Sequence, residues 1–320
     1  MQKVNTVGKK KAAPKKMLPG PIAILTAEKN FAHPWIGNPL ANRMGLHVGR
    51  ILLATAFDRF RRLRNIPHRD DRVWIQQLRR DGVVAIPDFL PSDEFARMRD
   101  EIVGTIRDSF ERFPFQENTE TGFGQRKNLG EIGFDRFDGG TLNRFLSLDR
   151  NRTPASFALV RSKRFRRLYK TALGFGFNPG ALQLYYTRFG SEANHDSQKD
   201  FHRDTFHPTL KFWYFVEDVS AEDGPFIYVP GSNRTSSARL SWEHRRSVEV
   251  SARTARKGGA FRIDEEELNA LGFAEPRTFA VRGNTLVIAD TYGFHRRGDG
   301  RPGAERFALY GGVRRMPYLF

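Results

Sequence analysis

The sequence has no cysteine among its 320 residues. Disulfide frameworks, thiolate zinc sites, iron–sulfur clusters and cysteine nucleophiles are therefore excluded, and any metal this chain holds must be bound by His, Asp or Glu. No apolar run approaches the roughly 18 residues that a membrane-crossing helix needs. The opening stretch MQKVNTVGKKKAAPKKMLPG also lacks the apolar segment of a signal peptide, so the expected location is the cytoplasm. No glycine-rich phosphate loop and no internal repeat is visible. Acidic residues are few beside basic ones, 36 Asp and Glu against 53 Lys and Arg, and the resulting net charge of +17 points to an anionic partner. What is present, 39% hydrophobic and 28% charged residues, suits a folded chain with a substantial core.

Six lysines (Lys3, Lys9, Lys10, Lys11, Lys15 and Lys16) and two prolines make residues 1–20 read as a disordered basic tail, with nucleic-acid contact as the less favoured alternative. Residues 21–72 read as an N-terminal extension. Within it a Pro- and Gly-rich connector precedes LANRMGLHVGRILLATAFDRFRRLR (40–64). There Met44, Val48, Leu52, Ala56, Phe60 and Leu63 recur at helical spacing, and Arg59, Arg61, Arg62 and Arg64 follow in the C-terminal half. Such a stripe is expected to pack on the protein's own core, the alternative being an anionic membrane surface.

The main domain is expected to span 73–320. DGVVAIPDFL (81–90) reads as a turn and strand, and Ser92 as the N-cap of a helix carrying Phe95, Met98, Ile102, Ile106 and Phe110 inward. A second helix is expected over 160–173, and the glycine-rich 116–140 reads as a loop near a site. From Ala181 onward short apolar runs separated by Gly, Pro, Asn and Asp (ALQLYYTRF, LKFWYFVEDV, PFIYVPGS, RTFAV, NTLVIAD, RFALYGGV) predict strands. Helices first and strands afterwards indicate an α+β chain, an antiparallel jelly-roll barrel buttressed by N-terminal helices.

Three residues carry the candidate chemistry: His202 and Asp204 in FHRD, and His295 in DTYGFHRRG. Two imidazoles and one carboxylate on one face of a metal form the triad of non-haem Fe(II) oxygenases, which leaves positions open for a chelating cosubstrate and dioxygen. A strand sends residues i and i+2 to the same side, so His202 and Asp204 can face inward together while His295 arrives on a neighbouring strand. His207 is close enough to be a rival ligand, and His195 and His244 are surface or core candidates. A zinc hydrolase on the same ligands is the less favoured reading, since no general base accompanies them. Arg306, eleven residues after His295 and in the next expected strand, can pair bidentately with the carboxylate of an acidic cosubstrate.

With DGVVAIPDFLPSDEFARMRDEI (81–102), FHRD (201–204) and LKFWYFVEDVSAEDGPFIYVPGSNR (210–234) ahead of His295 and Arg306, the chain resembles the phytanoyl-CoA dioxygenase family of Fe(II)/2-oxoglutarate-dependent oxygenases. That resemblance implies a cupin-like double-stranded β-helix. It implies Fe(II) on His202, Asp204 and His295, with 2-oxoglutarate and O2 as cosubstrates and Arg306 on the distal carboxylate of 2-oxoglutarate. It also implies that Trp213, and less directly Gln183, line the cosubstrate pocket. Asp204 favours hydroxylation, because related halogenases lack a carboxylate at that position. Arg297 departs from the small hydroxyl residue common two places after the distal His, and residues 1–72 and an insertion at 235–277 match no part of the family pattern. The expected substrate is small or lipid-linked and anionic, such as a lipid-linked sugar or an acyl-carrier conjugate, with peripheral contact at the inner face of the membrane. The competing class is a non-catalytic barrel binding nucleic acid or anionic membrane through its basic arm and helix. Such a protein has no physical reason to keep the triad together with Arg306.

Overall fold

The computed structural model describes residues 20–115, 126–174, 181–191, 195–253, 258–313 and 316–318. The basic tail to residue 19 and positions 116–125 of the expected loop lie outside the described residues. Helices are α1 (Pro39–Arg43), α2 (Leu46–Leu63), α3 (Arg72–Asp81), α4 (Ser92–Arg112), α5 (Pro154–Arg161), α6 (Lys163–Leu173), α7 (Ser237–Ala252) and α8 (Glu265–Ala270). Strands are β1 (Val83–Ile86), β2 (Arg126–Asn128), β3 (Gly133–Asp138), β4 (Thr141–Ser147), β5 (Ala181–Phe189), β6 (His202–Arg203), β7 (Leu210–Phe215), β8 (Phe226–Tyr228), β9 (Phe261–Arg262), β10 (Arg277–Phe279), β11 (Thr285–Asp290), β12 (His295–Arg297) and β13 (Glu305–Val313). None of these helices is long and apolar enough to cross a membrane.

The strands form two antiparallel sheets, one of eight strands in the order β1-β11-β7-β13-β5-β4-β3-β2 and one of five in the order β10-β8-β12-β6-β9. They are the two walls of a double-stranded β-helix. Period-two alternation sends successive side chains of the central strands of the larger sheet to its two opposite faces. Leu210, Phe212 and Tyr214 of β7 join Phe307 and Leu309 of β13 in the core shared with α3 to α6. Lys211, Trp213 and Phe215 alternate with them and face the space between the sheets, as do Arg306, Ala308 and Tyr310. Both faces are covered, so these strands read as near-continuous apolar runs. The smaller sheet packs its other face, Ile227 and Val229, against Trp242 of α7 and Phe31 of the N-terminal extension.

Several local expectations change on folding. The helix expected over 40–64 is interrupted at Gly45, which adopts a left-handed φ of 92° and separates α1 from α2. Its apolar stripe faces solvent and not the core: Leu52, Phe60 and Leu63 are exposed, while His47, Arg50, Asp58 and Arg61 are buried with Ile51 and Ala54. The helix expected over 160–173 is two helices, because Ser162 is extended and its hydroxyl accepts from the Phe165 amide to cap α6. Ser92 is the first residue of α4 and not its cap; the cap position is Pro91. The described part of 116–140 is not a loop, since β2 and β3 pair there with each other and with β4. The 235–277 segment supplies α7, α8 and the edge strand β9, which pairs with β6.

The PGS turn after β8 acts as a brace. The Ser232 hydroxyl donates to the Val229 carbonyl at 2.6 Å and accepts from the Phe294 amide at 2.8 Å, fixing the approach to β12. Gly82, which ends α3 with a φ of 80°, leaves room for the Tyr228 hydroxyl; a Cβ there would stand 2.3 Å from it and 2.6 Å from Asn233. The Gly82→Ala variant is therefore expected to lose stability through overpacking, by about 1–3 kcal/mol or more, plus the strain of left-handed backbone. Denaturant unfolding checks this, and an unchanged midpoint contradicts it.

Candidate metal centre

His202 and His295 are directly opposite each other on paired strands, β6 and β12. Their ring centroids are 4.6 Å apart. Asp204 follows two residues after His202 and returns to the same side. Its Oδ1 lies 4.0 Å from His202 Nε2, and its Oδ2 lies 3.7 Å from His295 Nε2. Among the described residues this is the one group of His, Asp or Glu side chains spaced to hold a metal ion.

The surroundings fix which atom each side chain offers. His202 Nδ1 is 2.8 Å from the Asp200 carbonyl, and His295 Nδ1 is 2.9 Å from the Gly293 carbonyl. A carbonyl only accepts, so both Nδ1 atoms donate and both Nε2 atoms present lone pairs toward Asp204. Burial, reinforced by His295, pushes the His202 imidazole down to about 3, and burial likewise lowers His295. Burial works against the Asp204 carboxylate, but the Lys211 ammonium beside it holds it well below the usual range. Lys211 Nζ is 2.6 Å from Asp204 Oδ2, and Lys29 donates to the Asp204 backbone carbonyl. Two neutral imidazole lone pairs and one ionised carboxylate form a donor set suited to a divalent ion such as Fe(II).

The three side chains open on a cavity of about 490 Å³ between the sheets. Gln183, Trp213 and Arg306 line it, so the residues singled out from sequence converge on one space. Arg306 is buried and donates to the Gly224 carbonyl, and its Nε has no partner. Among the described residues no carboxylate lies within ion-pair distance of it, and burial lowers it to about 10. A buried guanidinium with unused donors is a receptor for a carboxylate. Arg297 also lines the cavity. It is held by Asp196 at 2.6 Å and Asn143 Oδ1 at 2.8 Å, and against the pull of burial the acids keep it charged.

The other histidines stand apart. His207 is buried against Phe206 and is not part of the group, His195 pairs with Asp200, and the His244 ring nitrogen meets the Arg43 carbonyl. Sequence reasoning missed several lining residues: Arg126, Phe134 and Arg136 on β2 and β3, Phe145 on β4, Tyr185 on β5, and Lys211. The signal for β3 and β4 was the Asp-Gly-Gly turn between GFDRF and TLNRF, masked by the glycines nearby. For Lys211 it was a lone charge at an alternate position of an apolar strand.

The sequence model for phytanoyl-CoA dioxygenase (PhyH) matches residues 78–258, more than half of the chain. A search of curated proteins finds no match. Similar solved structures include AviO1 from Streptomyces viridochromogenes Tue57, at 14% identity and a TM-score of 0.48, covering 77% of this chain and 96% of that one. EctD from S. alaskensis with bound Fe is similar at 12% identity and a TM-score of 0.46, covering 75% of each chain. The epimerase SnoN in complex with Fe3+, alpha ketoglutarate and nogalamycin RO is similar at 14% identity and a TM-score of 0.45, covering 74% of this chain and 80% of that one.

The imidazoles also set acid sensitivity. Burial holds His47 at about 4 and His202 and His207 at about 3, below the ordinary 6.5. The unfolded chain therefore takes up protons below 6.5 that the folded chain refuses. This part of the stability is complete above 6.5 and declines as pH falls toward 4. Thermal unfolding of the metal-free protein is expected to show a midpoint that drops steadily from pH 6.5 to 4.5; a flat profile contradicts it.

Proposed function

The chain belongs to the phytanoyl-CoA dioxygenase family, and from that premise we propose that this 2-oxoglutarate-dependent oxygenase hydroxylates an unactivated C–H bond of a small or lipid-linked anionic substrate. The observation that carries the reading is that His202, Asp204, His295 and Arg306 line one cavity. When Fe(II), 2-oxoglutarate and O2 are bound, the chemistry supplied is decarboxylation of the keto acid to succinate and CO2 coupled to insertion of one oxygen atom into the C–H bond.

The protein's own contribution is positioning. His202 and His295 offer Nε2 because their Nδ1 atoms are engaged by the carbonyls of Asp200 and Gly293. Asp204 offers the anionic oxygen, and Lys211 steadies the carboxylate. Arg306, anchored on the Gly224 carbonyl, would take the distal carboxylate of 2-oxoglutarate, with Trp213 and Gln183 beside it. Trp213 packs on Phe226 and Tyr310, an apolar wall that excludes water from the reacting atoms.

Charge supports an anionic substrate. Six cationic residues line the cavity (Arg126, Arg136, Lys211, Arg296, Arg297 and Arg306), and Asp204 is the one acid among its lining residues. Asp138 engages Arg136 at 2.7 Å and Asp196 engages Arg297. Among the described residues Arg296 reaches only the exposed Asp299, at 3.9 Å, and Arg126 has no carboxylate within ion-pair distance, which leaves these two best placed to meet an anion. Phe134, Phe145 and Tyr185 stack in succession at 4.9 and 4.7 Å and line the cavity as an apolar stretch of wall for the body of the substrate. The reading includes a cytoplasmic location, peripheral to the inner face of the membrane, which the excess of basic residues supports.

The test is conversion of 2-oxoglutarate to succinate under air with added Fe(II). Wild type is expected to turn over, and His202→Ala and Asp204→Ala to be inactive; wild-type rates in either variant overturn the assignment. Arg306→Gln removes a charged hydrogen-bond donor, about 1.5–3 kcal/mol. It is expected to raise KM for 2-oxoglutarate about 10- to 100-fold with a smaller change in kcat.

A further inference from the structure

Of the twelve large hydrophobic side chains that stand exposed among the described residues, eleven lie between Ile22 and Val73. On α2 they share one face. Leu52, Leu53, Phe60 and Leu63 are 48%, 41%, 46% and 81% exposed, and Ala56 lies between them. Met44 and Ile66 continue the exposed series before and after the helix, at 80% and 88%. The opposite face of α2 is occupied. Arg50 donates to the carbonyls of Ile24, Thr26 and Glu28, and His47 lies 3.1 Å from the buried Glu243. The apolar stripe therefore faces outward while polar side chains fix the helix from within.

A second feature adjoins this face. A cavity of about 560 Å³ is lined by Arg59 and Arg62 of α2, Arg79 of α3, and Arg234 and Ser236 ahead of α7. Asp58, its one acidic lining residue, pairs with Arg62 at 2.6 Å, and Arg79 bonds the carbonyls of Arg62 and Asn65. Among the described residues Arg59 and Arg234 have no carboxylate within ion-pair distance. No acidic residue occupies the first turn of α7, so the positive end of that helix adds to the field.

We propose that α2 lies in the interface of an anionic phospholipid bilayer, its Leu52–Leu63 face among the acyl chains and the Arg59–Arg234 cavity holding a lipid phosphate. This rests on the peripheral-membrane part of the functional reading and not on the oxygenase chemistry. Apolar face and basic flank together match the two layers of a lipid surface. A second copy of the chain matches poorly. Asp58 is the one acid on α2 and is engaged by Arg61 and Arg62, so apposed copies would bring arginines together with nothing to neutralise them.

The experiment is flotation of the full chain with vesicles of phosphatidylcholine alone or of phosphatidylcholine with 30% phosphatidylglycerol, a probe composition chosen to supply anionic headgroups. Wild type is expected to float with the anionic vesicles and not with the neutral ones. The Phe60→Asp/Leu63→Asp variant is expected to lose this partition at least about tenfold, with an unchanged thermal midpoint and unchanged 2-oxoglutarate turnover. Arg59→Gln/Arg234→Gln is expected to weaken it several-fold and flatten its salt dependence. No flotation of wild type overturns the proposal, as does equal flotation of the aspartate variant. So does a wild-type dimer that the aspartate variant makes monomeric without any vesicle binding. Equal flotation of the glutamine variant overturns the phosphate seat. Because binding is read without turnover, failure here is distinguishable from failure of the oxygenase assignment.

Discussion

Arg203 lies between His202 and Asp204 in sequence and, by strand alternation, points the other way. There it is fully buried and bonded to both oxygens of Glu243, at 2.7 and 2.9 Å, and to the Gly259 carbonyl. Arg239 shares Glu243 at 3.0 Å and reaches the carbonyls of Ser232 and Tyr292. His47 of α2 stands 3.0 Å from Arg203. Glu243 stays ionised because the two arginines outweigh the penalty of its burial. Removing one member of such a cluster leaves unpaired charge inside, at about 3–5 kcal/mol. The cluster thus pins the back of the strand whose front carries the candidate ligands, and it ties α7 and α2 to that strand.

The same cluster explains the orientation of α2. Leaving a Leu or Phe side chain in water forgoes about 1.5–3 kcal/mol of burial, so a free choice would turn the stripe inward. The inward positions are instead filled by side chains whose partners lie far away in sequence: Glu243 for His47, the carbonyls of residues 24–28 for Arg50, and the Pro317 carbonyl for Arg61. Arg50 also lies over the ring of Phe206 at 4.0 Å. Inverting the helix would abandon all of these at once.

Much of the centre was legible because its requirements are local. The i, i+2 spacing of His202 and Asp204, and the apolar runs that became β5, β7, β11 and β13, depend on alternation along a single strand. Arg306 was legible from its place in the next expected strand, eleven residues after His295. What could not be read was set by partners distant in sequence. Periodicity shows that α2 is two-faced but not which face is inward, because that depends on Glu243 and on backbone carbonyls elsewhere. The 133–147 hairpin was obscured by glycines that normally signal loops, although its pairing with β5 is what delivers Phe134, Arg136 and Phe145 to the cavity. Arg297 drew notice as a departure; its anchoring by Asp196 and Asn143 is visible only in three dimensions.

Convergence of two imidazoles and one carboxylate on a common ion is the centre of this account, and binding of Mn(II) to the metal-free protein, followed by the electron paramagnetic resonance of the free ion, tests it most directly. One ion per chain is expected for the wild type, with that site lost in His295→Ala while the variant keeps its circular dichroism spectrum. Equal stoichiometry and affinity in the two proteins would contradict it.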